Sequence, residues 1–299
     1  MTDRYAKIHQ FKGPEMPHSD PKTLVSTTWL AEHLKDPDLR LIDASWYLPD
    51  MNRDAKAEYA AEHILGARFV DIDDVSDARS TLPHMLPPVE KFMSRMRALG
   101  VGDGHQVVIY DGAGLFSAPR LWWMFKYFGQ NKVAVLDGGL PKWKAENRPV
   151  TAEPPVIRDR HMVAQEQSHL LRDVTQVASS SKLGDHAIID ARPEPRFRGE
   201  APEPRAGLRV GHIPNARNVP YGDLLQSNGT LKHPGELRLT FEAAGVDLTK
   251  PAITTCGSGV TAAILNLALE RIGIKHALYD GSWAEWGMYG DLRVATGEA

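Results

Sequence analysis

One cysteine, Cys256, stands among 299 residues, and its neighbours give it chemical interest. It opens CGSGVT, a turn whose two glycines let the backbone curl and aim consecutive amide N–H groups inward. Thr261 to Arg271 then carry Ile264, Leu265, Ala268 and Leu269 at helical spacing, with Gly273 just past the end. Inward amides and the positive end of a helix both favour a thiolate, so the pattern predicts a nucleophilic sulfur. Taken alone, a cysteine after a strand is more often a small buried hydrophobe. Here strand, glycine-rich turn and helix coincide, which favours the reactive reading. Cysteine phosphatases use a similar loop but need an arginine six residues after the nucleophile, where this chain has Ala262.

The elements that must hold this loop are legible as alternating strands and helices. Ala252 to Thr255, β-branched and bounded by Pro251, reads as a buried strand delivering Cys256 to the turn. Earlier strands are LRLIDAS (Leu39 to Ser45) and HQVVIYD (His105 to Asp111), and VAVLDGGLPKW (Val133 to Trp143) reads as a strand and turn. Helices are expected over Thr28 to Lys35, capped by Thr27 or Thr28, over Val89 to Leu99, and over SAPRLWWMFKYFG with Pro119 near its first turn.

The order then repeats. AIIDAR answers LRLIDAS, VGHIPNARNVP answers EHILGARFVDI, the Cys256 strand answers HQVVIYD, and LYDGSWAEW answers LDGGLPKW. The offsets are 147 residues for Asp43 to Asp190, 149 for His63 to His212, 145 for Asp111 to Cys256 and 143 for Asp137 to Asp280. Four ordered correspondences imply a duplicated α/β domain, each copy a mainly parallel sheet flanked by helices. The expected layout is a loose arm over residues 1–22, a first domain over 23–148, a proline-rich linker over 149–162 and a second domain over 163–299. Asp111 replaces the cysteine in the first copy, so that domain is expected to be noncatalytic. The active site should lie at the strand carboxyl ends of the second, beside the cleft between them. His63 and His212 hold matching places and read as structural.

Composition narrows the classes further. A hydrophobic share of 42% and a charged share of 24% are ordinary for a soluble globular protein, and a net charge of −3 argues against general nucleic-acid binding. No apolar run reaches membrane-spanning length, and the first residues lack a signal-peptide core. One cysteine excludes intrachain disulfides and suits a reducing cytoplasm. No metal or organic cofactor is called for by any ligand cluster or phosphate-binding fingerprint.

From about Val25 to the C-terminus the chain resembles the tandem rhodanese-like sulfurtransferases. The resemblance rests on CGSGVTA, LIDASWYLPD, DIDDVSDARSTLPHMLP, SAPRLWWMFKYFG, LDGGLPKW, FRGEAPEPR, GHIPNARNVP and YDGSWAEW. It implies a two-step transfer in which the Cys256 thiolate takes sulfur from a donor, becomes a persulfide cradled by Gly257, Ser258, Gly259, Val260 and Thr261, and passes the sulfur on. With no second cysteine, the acceptor must come from outside, the family's candidates being reduced thioredoxin, a small thiol or cyanide. Members that use thiosulfate typically have basic residues in this loop; Gly257, Ser258 and Gly259 are neutral, which suits 3-mercaptopyruvate. The resemblance also implies that Arg196 and Arg205 bind the substrate's carboxylate and ketone oxygens, for which the guanidinium fork is suited. Taken as sequence, these arginines could equally pair with Glu194, Glu200 and Glu203 on a solvated loop. It further implies a Ser258, His84 and Asp73 constellation that moves a proton to or from the substrate thiol. Thiosulfate transfer and a noncatalytic sulfur-carrier or partner-binding role remain the alternatives.

Overall fold

A computed structural model of the protein describes residues 19–298. Two five-stranded sheets carry the chain, one per copy. The first contains β1 (Leu24–Val25), β2 (Leu39–Asp43), β4 (Arg68–Phe69), β5 (Gln106–Tyr110) and β6 (Val133–Leu136), in the order β1-β6-β5-β2-β4. The second contains β8 (Leu171–Arg172), β9 (Ala187–Asp190), β10 (Arg217–Asn218), β11 (Ala252–Thr255) and β12 (His276–Tyr279), in the order β10-β9-β11-β12-β8. Every pairing in both sheets is parallel. Element for element the two orders are the same, as a duplication requires. Parallel neighbours need crossovers, and helices supply most of them.

In the first copy these helices are α1 (Thr27–His33), α2 (Ala55–Ala61), α3 (Val89–Ala98), α4 (Ala118–Tyr127) and α5 (Gly139–Ala145). In the second they are α6 (Val174–Leu183), α7 (Glu194–Arg198), α8 (Pro234–Ala243), α9 (Ala262–Arg271) and α10 (Ser282–Trp286). Almost every residue of α4 and of α9 is buried, because each packs on its own sheet and on the other. A helix apolar all round belongs in an interior. The core uniting the halves accordingly includes Leu121, Trp122 and Phe125 of α4 with Ile264, Leu265 and Leu269 of α9.

Three local expectations are corrected. The cap of α1 is Ser26, whose hydroxyl accepts the Trp29 N–H, rather than Thr27 or Thr28. Residues after Val133–Leu136 do not stop at a turn: Gly138 and Gly139, at φ +78° and +53°, swing the chain into α5. A side chain at Gly139 would come within 2.5 Å of the Asp111 carbonyl oxygen, so the bend needs glycine. The expected arm lies outside the described residues as far as residue 18, but residues 19–22 are tied down. Asp20 donates its N–H to the Leu24 carbonyl, and Pro21 accepts from Gln106 Nε2.

The stretch expected as a linker is anchored as well. Within it β7 (Val150–Thr151) pairs antiparallel with β3 (His63–Ile64), and the His161 carbonyl accepts the Asp103 N–H. His63 stacks on Tyr59 and bonds its carbonyl, as His212 does with Phe197. No helix is long and apolar enough to cross a membrane.

Candidate functional site

Cys256 directly follows β11, whose last residue, Thr255, is paired with Asp190 at the end of β9. Its residue is only 2% exposed, but the next, Gly257, is partly open. The turn is fastened by its carbonyls. Cys256 O accepts the Trp283 N–H and Gly257 O the Ala284 N–H, so α10 clamps the loop from behind. Gly259, at φ +80°, turns its N–H back to 3.1 Å from Cys256 Sγ. The N–H groups of Gly257, Ser258, Val260 and Thr261 find no acceptor among the described residues, leaving a set of open donors on the loop that carries Cys256. Such a nest at a helix start accommodates added negative charge.

The matching loop in the first copy is already filled. Asp111, fully buried, accepts the N–H groups of Ala113, Phe116, Ser117 and Ala118 at 2.8–3.0 Å. Its own carboxylate occupies the place that an anion would take. A cleft of about 580 Å³ lies over this loop, but its cations are committed: Arg53 grips Glu58 with two nitrogens and Lys144 pairs with Glu62.

Cations approach the open loop differently. A Cβ built on Gly257 would lie 3.2 Å from Arg196 Nη2 and 4.0 Å from Arg205 Nη1, so both guanidinium groups face this residue. Arg196 is held by Glu203 (2.5 Å), itself held by the buried Arg192 (2.7 Å). Burial opposes charge on Arg192, but Asp190 and Glu203 outweigh it and hold its pKa above the usual arginine value. Arg205 has no ion-pair partner among the described residues, and burial pulls its pKa down against the attraction of Cys256. The ion pairs with Glu194 and Glu200 weighed for Arg196 and Arg205 belong instead to Arg198.

Across the junction, Ser258 Oγ lies 2.9 Å from His84 Nδ1, and His84 Nε2 lies 3.0 Å from Asp73 Oδ1. With the carboxylate accepting from Nε2–H, Nδ1 is left to accept the Ser258 hydroxyl. Asp73 is held below the usual carboxylate value chiefly by the His84 hydrogen bond, with Trp46 and Arg205 adding to it. Trp46 donates Nε1–H to Asp73 Oδ2 at 3.0 Å and sets its ring edge-on to His84. All ten expected site residues thus gather around one loop. Sequence reasoning missed Trp46 and Arg192, the latter signalled only by the charge alternation of ARPEPRFRGEAPEPR; Glu203, weighed there as a partner, does pair with Arg196. Among the described residues, no group of three or more His, Cys, Asp or Glu side chains gathers to hold a metal ion.

The rhodanese-like domain model matches residues 26–146 and again 173–289, and the chain belongs to that family, carrying its domain twice. Among its relatives, human 3-mercaptopyruvate sulfurtransferase is 43% identical over 89% of this chain and 92% of its own. Bovine thiosulfate sulfurtransferase is also 43% identical, over 89% of this chain and 92% of its own. A crystal structure of the 3-mercaptopyruvate sulfotransferase of Escherichia coli superposes with a TM-score of 0.80 at 42% identity, covering 88% of this chain and 99% of that one.

Proposed function

We propose that this protein is a 3-mercaptopyruvate sulfurtransferase working through a Cys256 persulfide. The Cys256 thiolate attacks the donor's sulfur, the carbon–sulfur bond breaks, and its electron pair leaves on pyruvate enolate. Protonation of the enolate gives pyruvate, and the outer sulfur stays on Cys256. Open amides at Gly257, Ser258, Val260 and Thr261 offset the charge, and Ser258, backed by His84 and Asp73, handles the proton. Arg205 and Arg196 take the carboxylate and ketone oxygens. The first domain, with Asp111 filling its own loop, acts as partner rather than catalyst.

One observation carries this reading: Arg205, without an ion-pair partner among the described residues, beside a loop whose residues 257–259 are all neutral. A thiosulfate dianion gains most from cations right against the attacking sulfur, whereas 3-mercaptopyruvate has one carboxylate set apart from its sulfur. That favours the second donor, although the bovine thiosulfate relative is as similar as the human enzyme. The acceptor is an external thiol, reduced thioredoxin among them, or cyanide, and a reducing cytoplasm suits a single free cysteine.

Incubation with 3-mercaptopyruvate alone should release pyruvate and add one sulfur atom to the peptide containing Cys256. No pyruvate and no mass gain would leave a noncatalytic module. A kcat/KM for thiosulfate above that for 3-mercaptopyruvate would reverse the donor assignment.

A further inference from the structure

Arg120, in the first turn of α4, is wholly buried where the two domains meet. Its Nη2 donates to the His84 carbonyl at 2.5 Å and lies 2.7 Å from Asp280 Oδ1, just after β12. The other oxygen of Asp280 accepts the Leu86 N–H at 2.6 Å. One ion pair spanning the junction therefore grips the segment that carries His84 at two points. His84 needs such a grip, because its φ of +60° is left-handed and costs a residue with a side chain on the order of 1 kcal/mol.

The same guanidinium faces the sulfur loop. A Cβ at Gly259 would lie 2.9 Å from Arg120 Nη1 and 3.2 Å from the Asp280 carbonyl oxygen, so the turn that donates its N–H to Cys256 rests on this pair. Arg120 Nε and Nη1 find no hydrogen-bond acceptor among the described residues, and the group lies against the Trp123 ring at 4.8 Å. Burying an arginine with two nitrogens unsatisfied is a poor way to gain stability, since a hydrocarbon of equal volume often does better. The matched contact on the other side is built differently. Asp137 accepts the Leu231 N–H, yet α9 has no cation in residues 262–269, and the positive charge felt near Asp137 is Arg271 at its far end. Both sides bury an arginine, but Arg120 is the one that faces the cysteine loop.

We propose that Arg120 is a positioning residue for sulfur transfer, which with Asp280 holds the His84 main chain and the Gly259 turn in fixed register across the domain junction. This rests on the reading that Ser258, His84 and Asp73 handle the proton. Misplacing such groups by an ångström costs about a hundredfold in rate.

The test pairs Arg120→Met with Asp280→Asn in the full chain, removing both charges together so that no bare carboxylate stays buried. In the folded double variant kcat for 3-mercaptopyruvate should fall about a hundredfold with KM within threefold. The ring nitrogen NMR signals of His84, assigned by loss in His84→Gln, should shift in the substrate-free protein. Should the double variant not fold, Arg120→Lys, which keeps the cation but not the fork, should lower kcat about tenfold and shift the same signals. A folded variant with kcat within twofold of wild type and unmoved His84 signals would overturn the proposal. If wild type released no pyruvate, the sulfur-transfer reading would fall, while the His84 signals would still decide the role of Arg120.

Discussion

Asp111 and Cys256 stand at the same strand end in the two copies, but the Asp111 carboxylate takes four backbone N–H groups and the Cys256 sulfur one. A carboxylate built into the chain closes the first loop; the second is left with open donors. The two halves share a scaffold and differ in whether the chain's own carboxylate occupies the loop amides.

The Asp111 contacts predict a structural cost for their loss. Asp111→Ala leaves three buried N–H groups and the half-buried one of Ala113 without their acceptor and should lower unfolding stability by roughly 3 kcal/mol or more, while the folded fraction keeps its kcat. Urea denaturation with activity per folded molecule checks this, and an unchanged midpoint would contradict it.

Cys256→Ser should abolish pyruvate release from 3-mercaptopyruvate, because an alkoxide is not formed at neutral pH and oxygen cannot carry sulfane sulfur. The exchange replaces a single sulfur atom by oxygen, so thermal stability should move little. Turnover above a thousandth of wild type would remove Cys256 from its role.

Arg205 should matter more than Arg196. Arg196 is already neutralised by Glu203, whereas Arg205 has no ion-pair partner among the described residues. Arg205→Ala should lower kcat/KM for 3-mercaptopyruvate by about 10- to 100-fold, the worth of a charge-assisted hydrogen bond, and Arg196→Ala by less. The opposite ranking in steady-state kinetics would point to Arg196 as the carboxylate ligand.

Asp73→Asn should remove the partner that fixes the His84 ring and lower kcat about 10-fold or more. Since Asp73 is held below its usual value of 3.8, its pairing adds stability that is fully present above that pH and is lost as pH falls through the lower folded value. The stability difference between wild type and Asp73→Asn should therefore persist at pH 5 and shrink below about pH 3.8. A difference that vanished between pH 5 and 7 would contradict the assignment.

Asp43 has the opposite sign. Burial pushes its carboxyl up to about 6, against hydrogen bonds from Ser45 that favour the charged form. The folded state then binds the proton more tightly, so the stability contributed by this group is full below pH 3.8 and declines as pH rises through about 6. An asparagine in its place would keep the Oδ1 contacts to Ser45 without that penalty. From pH 4 to pH 7, Asp43→Asn should gain on wild type by roughly 2–3 kcal/mol, at about 1.4 kcal/mol for each pH unit separating the folded from the unfolded pKa. Chemical denaturation at both pH values measures the change.

Whatever is contiguous along the chain can be read without coordinates. The Cys256 turn, its strand and its helix are contiguous, so local spacing was enough to single out Cys256 as the candidate nucleophile, with the glycines around it. The duplication was equally plain, because repeated strand signatures survive as repeated text. The short helix α5 was missed because two left-handed glycines look like a stop when they are a bend. The contact between Ser258 and His84 joins positions 174 residues apart, and the selection of Asp73 from four nearby acids depends on where Trp46 and His84 meet it. Arg120 and Asp280 were visible only as letters inside a buried-looking helix and a repeat. Packing α4 against α9 set them opposite one another, since apolar pattern places a helix in an interior but says nothing of which distant charge it will face.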